Sequence, residues 1–335
     1  MQRREVLGIA AGTSVSIMIP PVPQQGRIGR SDVERMRAPL SELVAIDQRL
    51  GGVAMAPICL RQADRVLEAI RGCSTSERVQ RAMYAVAGEY LAAAGWACVD
   101  AVELDQANHY LDRALRVAHT AQDPMLVAKV TNIVVMRARE AGDFPYAHIM
   151  SGSGLNSTAA RINPRIKALF HARLAHGHGR RGELGMAQRE LARAQDALQR
   201  VTPDTPTPPW LRFFNEAELA ALAAKTYQQL GRYRLATEQG MLATSAVLPG
   251  YVRNQTLYTL GLAQALLGER EVEHAAATAT TGLKLAGQLR DGIHRGRAAQ
   301  RLAGLREQFR QWPEVPQARD WITTYDQAVS RAAPV

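Results

Sequence analysis

The sequence predicts an all-α fold, a superhelical solenoid of antiparallel helix pairs, and three observations carry that prediction. Apolar residues fill 47% of the 335 positions but aromatics only 5%, and Ala and Leu dominate the apolar share. Ala lets helix backbones approach and Leu fills the seam between them, whereas Val, Ile, Tyr and Phe are too sparse to supply many strands. Glycines recur at intervals suited to helix-pair repeats, with small residues behind them at fixed offsets.

The chain opens on Arg3-Arg4-Glu5-Val6-Leu7 and an apolar stretch from Gly8 to Ile19, which together resemble a twin-arginine export signal. The apolar stretch is too short to span a bilayer. Ile19 also runs into Pro20-Pro21 where a small-residue cleavage site would be needed. Residues 1–30 are therefore expected to be a flexible segment that is not cleaved, with Pro20 to Gly26 as the joint before the first helix.

Residues 31–335 are expected to form one repeat domain. Asp32 to Leu50 reads as an amphipathic helix with Val33, Met36, Leu40, Leu43 and Val44 on one side, stopped by Gly51-Gly52. Pro57 to Arg71 reads as a second helix, and Ser74 or Ser76 as the cap of a third running to Ala94. The repeat is clearest around Gly231, which follows a helical stretch from Leu211 to Leu230. Tyr233 stands at +2, Ala236 at +5 and Ala243 at +12, with Pro249 closing the unit. Gly142 repeats the offsets with Phe144, Ala147 and Gly154; Gly182 repeats them with Leu184, Ala187 and Ala194. Gly95 and Gly268 are expected as looser copies, leading to Ala107 and Ala114 and to Ala275. Glycine at the end of a first helix permits the left-handed turn residue, and small residues at +5 and +12 fit where the second helix crosses its neighbours. Gly88 and Gly261, seven residues before Gly95 and Gly268, are expected to allow close approach inside the first helix. The segment Thr202 to Pro209 is a proline-rich loop, because successive prolines remove donors and disfavour the helical region before them. Trp312, Pro313, Pro316 and Trp321 mark the last turn and a terminal capping helix.

These units are similar to tetratricopeptide repeats. Further residues resemble the tetratricopeptide-like C-terminal regions of actinobacterial helix-turn-helix (XRE-type) transcriptional regulators. They are Arg3-Arg4 leading into an apolar stretch, Asp47 followed by Gly51-Gly52, Ala94-Gly95-Trp96 with Asp100, the run Ala107, Tyr110, Ala114-Leu115 and Ala118, and Pro209-Trp210. The resemblance implies a regulatory role. It also implies DNA contact only where a helix-turn-helix domain is supplied by an upstream start or a partner chain, since this sequence begins at the twin-arginine-like stretch.

The net charge of +10 comes from four lysines and 37 arginines against 31 acidic residues. A nucleic-acid surface would account for it, but no basic run carries interleaved aromatics, so the charge is read as a solvated Arg-rich helix surface. Cys59, Cys73 and Cys98 form no C-x-x-C pair and read as buried thiols in a reducing compartment.

No phosphate-loop, zinc-protease or nucleophile-elbow motif is present. Ser151-Gly152-Ser153-Gly154 lacks the Lys that would reach a phosphate and is expected to be a flexible loop. His171 and His178 would share a helix face with His176 nearby, but the same turns hold no Asp, Glu or Cys to complete a metal site, so they are expected as partly exposed polar residues. Asp100, Glu103 and Asp105 cluster in the turn expected after Trp96, and no carboxylate pair is marked out for acid–base work. No catalytic residue, metal or cofactor is expected.

A ligand would meet the first helices of the pairs, which line the inner face of such stacks. The register gives Lys129, Asn132, Met136 and Arg139 as one stripe. It then gives His176 and Arg180, Glu218, Lys225 and Gln228, and finally Gln255 and Tyr258. Such side chains would hydrogen-bond an extended peptide and pair with its acidic groups, or would simply form a hydrated surface. The expected function is a non-enzymatic regulatory or sensor module in the cytoplasm that binds a peptide or protein partner. A homodimer is a further option, and no membrane is involved. The alternative is an exported helical protein with a binding or enzymatic role outside the cytoplasm.

Overall fold

A computed structural model describes residues 3–8, 14–43, 55–289 and 292–331. Helices dominate it, packed in adjacent pairs. Its described residues divide into two compact units, those up to residue 159 and those from residue 160 onward.

The first unit opens with an antiparallel hairpin, Arg3–Gly8 (β1) against Ser14–Ile19 (β2), with Arg3 opposite Ile19 and Leu7 opposite Val15. Outside this hairpin the regular structure of the described residues is helical, as the all-α reading expects. Glu5-Val6-Leu7 and Val15 to Ile19 supply the β-branched and apolar residues that favour a pleated ladder. The stretch from Pro20 to Gly26, expected as a joint, leads into Ile28: Val22 and Ile28 are buried, and Ser74 N donates to Gly26 O at 2.9 Å.

Among the described residues, the helices of this unit include Arg30–Arg37 (α1), Ala56–Gly72 (α2), Glu77–Ala101 (α3), Leu104–Ala121 (α4), Pro124–Glu140 (α5) and Phe144–Leu155 (α6). Val33, Met36, Leu40 and Leu43 are buried, as their spacing predicts, while Val44, Asp47 and Gly51-Gly52 lie outside the described residues. Tyr90 of α3 donates its hydroxyl to Met36 O at 2.8 Å and so fixes the end of α1. Ser76 is the cap of α3, accepting from Val79 N at 3.4 Å. Ser151 to Gly154 lies inside α6 and is no loop. Ser151 Oγ bonds back to Ala147 O, which satisfies the hydroxyl within the helix.

A short helix, Thr158–Ile162 (α7), comes next, and the second unit then holds Pro164–Arg180 (α8), Leu184–Gln199 (α9), Glu216–Gln229 (α10), Tyr233–Ser245 (α11), Val252–Gly268 (α12), Val272–Ala286 (α13), Gly296–Phe309 (α14) and Pro316–Arg331 (α15). Each first helix packs on its own second helix and on the first helix of the next pair: α8 on α10, α10 on α12, α12 on α14. The capping helix α15 buries Trp321 beside Phe309 and stacks it on Tyr325. The proline-rich stretch is a loop as expected, tied down where Asn163 Nδ2 donates to Pro206 O at 2.7 Å.

The repeat has one register throughout, but its anchor is a conformation and not a residue type. Val102, Gly142, Gly182, Gly231 and Arg270 all have positive φ, between 64° and 77°. After each, the next backbone N–H reaches back to the carbonyl four residues before the anchor: Glu103 to Cys98, Asp143 to Ala138, Glu183 to His178, Arg232 to Tyr227 and Glu271 to Leu266. Position +5 is then Ala107, Ala147, Ala187, Ala236 or Ala275, at most 5% exposed, and +12 is Ala114, Gly154, Ala194, Ala243 or Gly282. Gly95 and Gly268 are therefore not turn residues. Gly95 lies inside α3, where a Cβ would stand 2.7 Å from Leu111 Cδ2, and at Gly268 one would strike the Tyr233 ring. Gly88 does permit close approach, to Leu126, whereas Gly261 meets only the tip of Arg301.

Candidate functional site

The candidate groove lies on the first helices, and the caps fix where each of them starts. Asp123 accepts from Met125 N and Leu126 N ahead of α5, and Asn163 accepts from Arg165 N and Ile166 N ahead of α8. Asn215 accepts from Glu218 N ahead of α10. Pro124 and Pro164 stand at the first helical position, where the missing N–H costs nothing.

In the first unit, α5 packs against α3, α4 and α6, so little of its circumference is left open. The stripe expected to face solvent is mostly buried: Asn132 is 4% exposed, Met136 7% and Arg139 7%, with Arg139 Nη1 directed at Met136 Sδ. Lys129 is half-buried. Desolvation holds its ammonium below the usual lysine range, against the opposing pull of Glu89.

In the second unit the polar residues of α8, α10 and α12 bond to one another from helix to helix. The Tyr258 hydroxyl donates to Glu218 Oε2 at 2.5 Å and accepts from Asn254 Nδ2 at 3.0 Å. Arg173 Nη2 lies 4.0 Å from Glu218 Oε1, so one carboxylate on α10 links α8 to α12. Burial, and then the adjacent Glu218 charge, push the Tyr258 phenol well above its ordinary range. Gln228 Nε2 donates to Gly261 O at 2.6 Å, a second link from α10 to α12. Gln229 Nε2 meets His176 Nε2 at 2.8 Å, linking α10 to α8. Among the expected groove residues Arg180 is exposed, Lys225 and Gln255 are half-buried, and His176 and Tyr258 are buried.

The other two histidines of α8 find carboxylates, from the following helix or turn and not from their own helix. His171 Nδ1 lies 2.6 Å from Glu190 Oε2, while Arg193 donates to the other oxygen. His178 Nδ1 lies 2.5 Å from Glu183 Oε2. His171, His176 and His178 are all at most 8% exposed, which corrects the expectation of partly exposed rings. Hydrogen bonds from Arg181 and then His178 hold the Glu183 carboxyl down to about 2.

Arg173, Asn254, Gln229 and Glu190 complete these links and were not singled out in the sequence. Only Asn254 carried a local signal, standing four residues before Tyr258 on the same helix face. Chemically the arrangement holds polar edges in fixed orientation across successive helices. Among the described residues no group of His, Cys, Asp and Glu is gathered to hold a metal ion, and no helix is long and apolar enough to cross a membrane. No protein-family model matches the chain and no curated protein matches it.

Proposed function

We propose that the chain is a non-enzymatic, tetratricopeptide-like repeat scaffold whose pairs stack with a superhelical twist, and that the first helices of its second unit bind a peptide or protein partner. One observation carries the reading: the Arg173–Glu218–Tyr258 chain orients polar side chains across three successive first helices. Side chains already held in place lose little freedom on binding, which favours recognition of an extended backbone. Arg180 and Lys225 add positive charge for acidic groups of the partner. The five-fold turn register is what a stack of like units requires. The regulatory link, to transcription in the cytoplasm, comes from the resemblance to actinobacterial regulators alone.

The test is affinity capture from native lysate with the wild-type chain and with the Arg180→Ala/Lys225→Ala variant. Both replaced side chains are at least partly exposed, so the fold is expected to persist by circular dichroism. Loss of a partner by the folded variant, at a cost of about 1.5–3 kcal/mol per charge-assisted contact, supports the groove. Undiminished capture removes it.

A further inference from the structure

The segment from Pro20 to Gly29 is held on the first unit by a small and specific set of contacts. Val22 and Ile28, six residues apart, are its two buried side chains, while Pro21 and the four residues 24–27 stay exposed. The backbone supplies the rest. Ile28 N donates to Ser74 O at 3.1 Å and Ser74 N to Gly26 O at 2.9 Å, a parallel bridge between Arg27 and Ser74. Gln24 Nε2 reaches Arg65 O on α2 at 3.3 Å, and Cys73 Sγ reaches Pro23 O at 3.6 Å. The end of α2 is shaped for this strap: a Cβ on Gly72 would stand 2.6 Å from Gln24 O, a backbone atom that cannot swing aside.

We propose that the C-terminal half of α2 and its connection to α3 form a seat for an extended peptide, distinct from the first-helix groove and independent of it. In this chain its own residues 20–29 occupy the seat in cis. The ligand it takes is an extended segment of a partner chain with two apolar side chains six residues apart and no fixed sequence between them. Recognition through main-chain bonds and two spaced anchors is how an extended peptide adds to an existing edge. Pro20, Pro21 and Pro23 restrict the strap to extended conformations, which lowers the cost of seating it. Covalent attachment gives the strap a high local concentration, so it acts as a built-in competitor that a partner peptide must displace.

The test uses the full-length chain and a fluorescent peptide of residues 20–29. Val22→Ser/Ile28→Ser unseats the strap and is expected to bind the labelled peptide at least tenfold more tightly than the wild type. Adding Gly72→Val should abolish that binding. Equal binding by wild type and double variant, or none by a double variant that remains helical, overturns the proposal. A second measurement stands where the double variant loses its helices. Gly72→Ala in the otherwise unaltered chain should strip hydrogen-exchange protection from the Ile28 and Ser74 amides and leave α4 and α5 protected. Retained protection at Ile28 overturns the seat.

Discussion

Tyr258 and Glu218 stand forty residues apart in sequence and share a 2.5 Å hydrogen bond between neighbouring first helices. The bond ties the side chain on which the proposed groove depends to the packing of the scaffold itself. Tyr258→Phe removes the donor and leaves one oxygen of a largely desolvated carboxylate without it. The variant should lose about 1.5–3 kcal/mol of stability, read as a lower denaturant midpoint with an unchanged slope. An unaltered midpoint would mean that the bond is not formed in solution.

The turn register makes opposite predictions for two kinds of residue. Val102 and Arg270 hold positive φ without being glycine, so Val102→Gly and Arg270→Gly should each stabilise by up to about 1 kcal/mol. Gly142→Ala and Gly182→Ala should destabilise by about 1 kcal/mol or more. Thermal melts of the four single variants decide it, and the same sign in all four would refute the register.

Position +5 leaves no room for a larger side chain. Ala236→Trp should destabilise by about 1–3 kcal/mol through overpacking, because Ala236 has no exposed surface. A melting temperature equal to that of the wild type would show that α11 does not cross its neighbours there.

Glu183 links stability to pH. Its folded pKa is depressed from 4.5 to about 2 by Arg181 and His178. Its contribution is therefore present above about pH 4.5 and is lost as the pH falls toward 2. Glu183→Gln should remove that contribution, so the variant lies slightly below the wild type above about pH 4.5 and converges with it as the pH falls toward 2. Because the carboxylate is exposed, the effect is small and needs paired denaturant titrations to resolve it.

The helix pairs were legible where glycine marked the turn and failed to be legible where it did not. At 142, 182 and 231 the residue type and the conformation coincide, and the alanines at +5 and +12 fell into place. At 102 and 270 the left-handed residue is Val or Arg, which advertises no turn, so nearby glycines with a packing role took the anchor's place. Ser151 to Gly154 misled for the mirror reason: glycines that suit a loop serve here as the small face of α6. The hairpin and the strap were hidden because short alternating runs next to prolines look alike whether loose or docked. The groove residues were legible as polar positions on the first helices. Their bonding was not, because partners such as Gln228 and Gly261, or His176 and Gln229, are set by tertiary packing over 33 to 53 residues.

Asn163 accepts from two amides of α8 through one end of its side chain and donates to Pro206 through the other. Asp123 accepts from two amides and Asp143 from one, each with a carboxylate, which has no proton to offer a carbonyl. The choice of amide over acid at 163 is thus dictated by a loop some forty residues downstream. Across evolutionary time the two should change together: a descendant that trims the loop past Pro206 releases position 163 to become Asp or Ser, and one that keeps the loop holds it at Asn.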